Sequence, residues 1–317
     1  MSVDAEHSDL RVIPVAFIDP NPDNPRVVFR SGELEKLQES IATHGVQVPI
    51  SVYKAGKRFV LIDGERRWRC CLKLNKRDIP ALVQERPDAV TNLLLMFNVH
   101  MLREQWDLLT IALKLPRLIE LLAEELGHGP SEGELSSRSG LSRSDIRRCK
   151  LLIDLPERYR SLILEEINKP KRTQKLTEDF FIEMERSLKT VERAMPFLVE
   201  DKDEARDVLI DKYERGVIQN ITDFRDLARI ARADRVDANR DLAAQALTRV
   251  LHERDYSIRE AFEQSVSEAY AERSLLTKIE SLAEDLDALD PSELDHPLRQ
   301  SLQALMERML SLLAKGK

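Results

Sequence analysis

Arg66, Arg67 and Arg69 follow directly on Asp63-Gly64-Glu65, with Trp68 among them. Guanidinium forks bind phosphate oxygens two at a time and keep their charge throughout the physiological range. Phe59-Val60-Leu61-Ile62 reads as a strand and the arginines as the opening of a helix, so Gly64 falls at a strand-to-helix turn. A helix start offers unpaired N–H groups and a partial positive charge, and glycine there lets an anion approach the backbone. Arg66 and Arg69, three apart, share a face and Arg67 points to one side of it, which suits a polyphosphate better than a lone carboxylate. The competing interpretation is a solvated helix face whose arginines pair with Glu65 or Asp63. A basic first turn opposes the helix dipole, which argues for an anionic counterpart.

A second basic cluster runs from Arg138 through Arg143, Arg147 and Arg148 to Lys150, with Asp145 the one acid in that stretch. Its local excess of four positive charges sits in residues 131–153, which have the pattern of a helix-turn-helix. Glu134 and Leu135 lie on the first helix, Gly140 makes the turn and Leu141 plugs the core. Ser142 caps the second helix with Asp145 as its partner three residues on. Ile146, Cys149 and Ile153 then face inward. Ser144, Arg147 and Arg148 face outward, and Arg143 occupies the exposed first turn. The second helix of such a motif puts side chains against base edges in the major groove, and arginine to guanine is the commonest specific contact. Arg143, Ser144, Arg147, Arg148 and Lys150 are therefore the DNA-binding candidates, against the alternative of a surface helix in an all-α domain. Lys169, Lys171, Arg172 and Lys175 offer further phosphate contacts, or simply a solvated linker over residues 168–175.

The elements that position these clusters differ along the chain. Residues 10–85 mix strand and helix patterns. Val12, Ile13 and Val15 open an apolar stretch, and the proline-rich loop 19–25 cannot be helical. Leu34, Leu37 and Ile41 give a helix over 33–44 closed by Gly45. The stretches 50–53 and 59–62 flank Lys54-Ala55-Gly56-Lys57 as a hairpin, a helix follows from about 65 to 74, and 79–83 is a further strand. Beyond Ala89 the pattern predicts helices only, at about 89–98, 102–126 with a kink at Pro116, 131–138, 142–153 and 156–167, then more through 273. Ile279, Leu282, Leu286 and Leu289, then Leu298, Leu302, Leu305, Met309 and Leu312, form a heptad-type seam on each of two helices joined by a proline-bounded turn.

The 317 residues carry 56 acidic and 49 basic side chains, a net charge of −7 that on average repels nucleic acid. Residues 251–317 hold 14 acids against 8 bases, so positive charge is concentrated elsewhere and the tail is not expected to bind DNA. No apolar run approaches the ~20 residues that span a bilayer. The N-terminus has no apolar h-region, which with three sparse cysteines points to a cytoplasmic protein with reduced thiols. Cys70, Cys71 and Cys149 lack metal-type spacing and read as small buried hydrophobes.

Gly64-Glu65-Arg66-Arg67-Trp68-Arg69-Cys70 resembles the GERRxRA box of the ParB family of DNA-partition proteins, with Cys70 where alanine is usual. Asn24-Pro25-Arg26 with Phe29 resembles that family's NPR-type box. Leu37, Ser40-Ile41 and His44-Gly45-Val46-Gln47-Val48-Pro49-Ile50 resemble its first nucleotide-binding motif, SIxxHGVxQPI, although Gln47 precedes valine and not proline. Three ordered boxes over about 60 residues are far more specific than one. Leu141 to Leu152 with Leu155-Pro156-Glu157 is similar to the ParB/KorB helix-turn-helix.

Pattern and resemblance together imply an α+β N-terminal ParB/sulfiredoxin-like domain (10–100), an all-α helix-turn-helix domain (101–235) and an acidic helical C-terminal region (236–317) that dimerises or packs back on 176–250. The resemblance implies CTP with Mg²⁺, with Gly64, Glu65, Arg66, Arg67 and Arg69 on the triphosphate and Ser40, His44, Gly45 and Gln47 lining the pocket. The family's third motif, ENxQR, departs here to Phe97-Asn98-Val99-His100-Met101-Leu102-Arg103. Asn98 is retained as a candidate Mg²⁺ ligand. Phe97 replaces the acid implicated in hydrolysis and cannot orient water, which leaves open whether the chain is a weak CTPase or only binds, with Glu104 as a substitute acid. Sulfiredoxin chemistry is set aside, because the cysteine it needs at the turn is Glu65 here.

Three readings of function follow. The first is a CTP-dependent dimeric clamp on double-stranded DNA, loaded at a palindromic site, nucleoid- or plasmid-associated, in partition with a ParA-like ATPase. The second is a KorB- or Noc-type regulator or nucleoid-associated factor whose nucleotide site does not turn over. The third is a nuclease or phosphotransferase on the same fold, for which no carboxylate cluster at two-metal spacing is visible.

Overall fold

Alternation of Ile50 with Val52, and of Ile79 with Ala81, puts one apolar side of successive strands into a shared core, where all four side chains are fully buried. The structure, a computed structural model, describes residues 9–22, 24, 31–101, 107–289 and 295–315. By contacts the chain divides into two units, one of residues 1–189 with 209–224, the other of 190–208 with 225–317.

The first unit contains a five-stranded sheet in the order β1-β5-β3-β4-β2. Here β1 is Asp9–Pro14, β2 Ile18–Asp19, β3 Ile50–Ala55, β4 Arg58–Asp63 and β5 Asp78–Gln84. The expected hairpin is present as β3 antiparallel to β4, turned at Gly56 with φ +63°. The pairing of β1 with β5 is antiparallel, whereas β5 with β3 and β2 with β4 run parallel. These long-range partners have no local signature in the sequence. Helix α1 (Ser31–His44) ends at Gly45, whose φ of +74° matches a left-handed cap. It packs against α2 (Glu65–Lys73), with Leu34, Ile41, Cys70 and Cys71 joining the sheet's apolar side in one core.

No strand follows β5 among the described residues. Helix α3 (Ala89–Met101) lies against β4 and buries Leu93, Met96 and Phe97. Helix α4 (Leu108–Leu126) runs through Pro116, and its first residue corrects the expected start at 102. Asp107 is its N-cap in extended conformation, and the Leu109 N–H donates at 2.5 Å to Glu178, which closes the first turn from another helix. Helices α5 (Glu132–Ser139), α6 (Arg143–Ile153) and α7 (Glu157–Asn168) follow at the expected places. Helices α8 (Glu178–Ala194) and α9 (Lys202–Glu214) contribute to both units. Within the first unit, Phe180 stacks edge-on with Phe181 and Phe224 at ring separations of 5.1 and 5.2 Å.

The second unit adds α10 (Phe224–Ile230, apart from Phe224), α11 (Arg240–His252), α12 (Ile258–Ser265), α13 (Ser267–Asp287) and α14 (His296–Lys315). In it α11 packs against α12, and Ala243, Leu247, Val250, Ile258 and Ala261 of these helices are buried. Of the seam residues, Ile279, Leu286, Leu289, Leu298, Leu305, Met309 and Leu312 are exposed, Leu312 by 72%, and Leu282 and Leu302 are half-buried. Among the described residues no helix is long and apolar enough to cross a membrane.

Candidate functional site

Gly64 is the pivot of the first arginine cluster. Its φ of +98° is a left-handed value, and a Cβ there would lie 2.6 Å from the Ile50 Cγ2. Glycine is therefore required both by backbone conformation and by the β3 side chain beneath it. It N-caps α2, and as a glycine it brings no capping side chain of its own.

The three arginines do not share one orientation. Arg67 is mostly buried, at 14% exposure, and reaches back over the loop after α1. Its Nη1 donates to the Val48 and Pro49 carbonyls at 2.6 and 2.7 Å, and its Nη2 to Asp63 at 3.0 Å. Arg69 turns toward Glu65, to which Nε and Nη2 donate at 2.8 and 2.6 Å. Glu65 is buried and also accepts from the Asn24 amide. The Arg66 side chain is half-buried. Pairing of Arg67 with Asp63 and Arg69 with Glu65 is what the ion-pair interpretation expected, yet the pairs do more than decorate a surface. They tie the loop at 24, the loop at 48–49 and the start of α2 into one wall, three segments that lie far apart in the chain.

The other expected pocket residues lie on the neighbouring end of α1. Ser40, His44 and Gln47 are exposed and Gly45 is half-buried; the Gln47 amide folds back to donate to the His44 carbonyl. Asn98 is in α3, but its side chain lies outside the described residues, as do Pro25, Arg26 and Phe29 of the second box and Glu104. Phe97 is fully buried, so this position serves the α3 core. Among the described residues no group of three or more His, Cys, Asp or Glu side chains could hold a metal ion, so the described protein atoms provide no Mg²⁺ cage. All three cysteines are free and buried; burial pushes the thiols of Cys70 and Cys71 up, and that of Cys149 up to about 12. They are inert packing groups.

Asn24 and Asp63 join the site without having been among the residues expected there from the sequence. Asn24 had a signal in the NPR-type box, whereas Asp63 was visible only as a potential partner of an arginine. The Asn21 amide donates to Asn92 at 3.0 Å in a buried pair linking the 19–24 loop to α3, for which the sequence held no signal.

At the second cluster, α5 and α6 are joined by Gly140 at φ +76° and by Leu141, which is 1% exposed. The Ser142 hydroxyl accepts from the Asp145 N–H at 3.0 Å and donates to its carboxylate at 2.7 Å, the cap read from the sequence. Ile146 and Cys149 are buried as expected; Ile153 is only half-buried. Arg143, Ser144 and Arg147 are exposed, Arg148 and Lys150 half-exposed. The charge excess of four counted along the chain is not the charge of the surface. Arg138 pairs with Glu125 at 2.7 Å, Arg147 and Lys150 with Glu132 at 2.9 and 3.6 Å, and Arg148 with Asp145 and Asp179. Glu125, Glu132 and Asp179 come from α4, α5 and α8, so sequence distance concealed them. Lys169 is likewise held by Glu166, whose other oxygen accepts the Lys175 N–H at 2.8 Å. Lys171 and Arg172 are exposed.

Residues 1–98 match the family model of the ParB N-terminal domain. The chain is similar to the nucleoid occlusion protein of Geobacillus kaustophilus, 34% identical over 162 residues that make up 50% of this chain and 55% of that protein. Its likeness to the nucleoid occlusion protein of Geobacillus thermodenitrificans is 35% over the same length and shares. The chain thus spans about half the length of these curated relatives. Among solved structures, the C-terminally truncated chromosome-partitioning protein ParB of Caulobacter crescentus complexed with CTP-gamma-S is 26% identical. It covers 52% of this chain and 90% of that one, at a TM-score of 0.29.

Proposed function

From the match of residues 1–98 to the ParB N-terminal domain, we propose that the chain is a ParB-family, CTP-binding, sequence-specific DNA-binding protein that works as a dimeric clamp. The observation that carries this reading is the wall around Gly64, where Asn24, Glu65 and Arg69 on one side and Arg67 with the Val48 and Pro49 carbonyls on the other join three separate boxes. A triphosphate fits this place by its chemistry: a helix start led by a glycine that cannot carry a side chain, and guanidinium groups alongside.

Within the site Arg67 is a positioning residue, holding the loop that follows His44 against α2. Arg66, Arg69 and the first-turn N–H groups are the phosphate contacts, and Ser40, His44, Gly45 and Gln47 line the base end. Mg²⁺, carried in by the nucleotide with Asn98 beside it, would neutralise phosphate charge. The substitution of a buried phenyl ring at Phe97 supports binding without efficient turnover.

The α5–α6 pair is the DNA reader, with Arg143, Ser144, Arg147, Arg148 and Lys150 facing the duplex. The exposed seam of α13 and α14 pairs two copies, which gives two half-site readers and suits a palindrome. A ParA-like partner would make the protein a partition factor; the names of the curated relatives favour, as a second reading, a nucleoid-occlusion role with the same two sites.

Calorimetric titration with all four nucleoside triphosphates, with and without DNA carrying a site selected by the protein, tests the proposal. CTP-selective binding, and a CTP-dependent crosslink between two N-terminal domains, is the expected result. Absence of any CTP preference removes the nucleotide reading, and CTP binding without the crosslink removes the clamp.

A further inference from the structure

Three of the four cations of α6, Arg147, Arg148 and Lys150, are occupied before any DNA arrives. Glu132, on the first turn of α5, accepts from Arg147 Nε at 2.9 Å and lies 3.6 Å from Lys150 Nζ. Asp179, on the first turn of α8, accepts from Arg148 Nη2, while Asp145 accepts from Nη1 of the same guanidinium at 3.4 Å. Among the described residues Arg143 is the member of the helix without an acidic partner, and its guanidinium lies against Gly133 of α5. The two acids come from different flanking helices, 15 and 31 residues from their partners, and converge on one exposed face. Arg147 and Lys150 hold the Glu132 carboxyl below the usual carboxylate range, chiefly through the Arg147 hydrogen bond.

We infer that Glu132 and Asp179 are built-in competitors for DNA phosphate, occupying Arg147, Lys150 and Arg148 and lowering the affinity of α6 for duplex DNA. The inference rests on the reading of α6 as the DNA-facing helix. A phosphate oxygen and a carboxylate oxygen offer a guanidinium the same bidentate geometry, so one replaces the other without rearrangement of the helix. Binding a duplex through these side chains means breaking their three ion pairs to Glu132 and Asp179 and bringing these two carboxylates near the phosphate backbone. Both effects oppose association. Arg143 meets neither obstacle and is the contact available first.

The test uses the full chain and a labelled 40-base-pair duplex of random sequence, followed by fluorescence anisotropy at several salt concentrations. Exposed ion pairs of this kind are each worth about a twofold to fivefold change in an equilibrium constant. Glu132→Gln and Asp179→Asn are each expected to tighten binding by about that factor at low salt, the double variant by about their product. The gain should shrink as salt is raised. A merely structural role would weaken binding, so a gain separates the two. Arg147→Ala and Arg148→Ala are measured alongside. If these weaken binding while neither acid variant tightens it, the competitor idea is wrong and the α6 reading stands. If the arginine variants bind as the unaltered chain does, the α6 reading fails and the competitor idea with it. Circular dichroism confirms that each variant is folded, and the two acids, on separate helices, provide independent trials.

Discussion

Arg67→Ala is expected to destabilise the N-terminal domain by about 3 kcal/mol, before any nucleotide is considered. The substitution removes two charge-assisted bonds to backbone carbonyls and one ion pair, at 2.6, 2.7 and 3.0 Å. Bonds to a charged group are worth roughly 1.5–3 kcal/mol each, and breaking a buried pair costs about 3–5 kcal/mol. The sum is reduced because the Val48 carbonyl side of the contact is open to water, whereas Asp63, 15% exposed, is left largely desolvated. Lysine keeps the charge but cannot span three acceptors with a planar fork, so Arg67→Lys should recover about half the loss. Urea unfolding in a Trp106→Phe background reports the domain through Trp68, whose indole donates to the Val15 carbonyl at 3.3 Å. A loss below about 1 kcal/mol with an unchanged m-value would refute the positioning role. In that case Arg67 acts only as a ligand contact, and its substitution should abolish the CTP-induced rise in Tm while leaving the free protein unchanged.

Other outcomes follow from the same physics. Gly64→Ala should cost about 2–4 kcal/mol in unfolding free energy, combining left-handed strain with the overlap against Ile50. Glu178 caps α4 from α8, and burial with help from Asp107 and Asp179 raises its carboxyl to about 7, against the pull of the Leu109 N–H. The folded state therefore holds this proton while the unfolded chain releases it near pH 4.5, so stability falls as pH rises from 4.5 to about 7, by about 3 kcal/mol in total. Glu178→Gln should flatten that slope in unfolding curves taken across the interval, and an unchanged slope would dismiss the assignment. Aspartate at both Leu286 and Leu305, on the exposed seam, should shift the sedimentation coefficient of the full chain from dimer to monomer with helix content retained; an unchanged oligomer places the dimer interface elsewhere.

Much of the local architecture was legible because it obeys short-range rules. The left-handed glycines at 45, 56, 64 and 140, the Ser142 cap and the hairpin are each dictated by a few adjacent residues, and the structure has them where the sequence puts them. The start of α4 was misread because its cap, Glu178, lies 69 residues away. Charge was misread for the same reason. Counting along residues 138–150 finds one acid, whereas folding brings Glu125, Glu132 and Asp179 onto the same helix.

The sequence by itself determined that arginines gather at a glycine-led helix start and on a capped second helix, and that a leucine seam ends the chain. Side-chain chemistry and local spacing are properties of neighbours, so they need no third dimension. Only the tertiary structure decided which of those charges are engaged. Arg67 became a brace and not a free cation because two carbonyls and Asp63 converge on it. Arg147, Arg148 and Lys150 became masked cations because acids from other helices reach them, and most of the seam is exposed among the described residues. Ion pairing depends on distances of a few ångströms, and those are set by packing between segments that the linear order keeps apart.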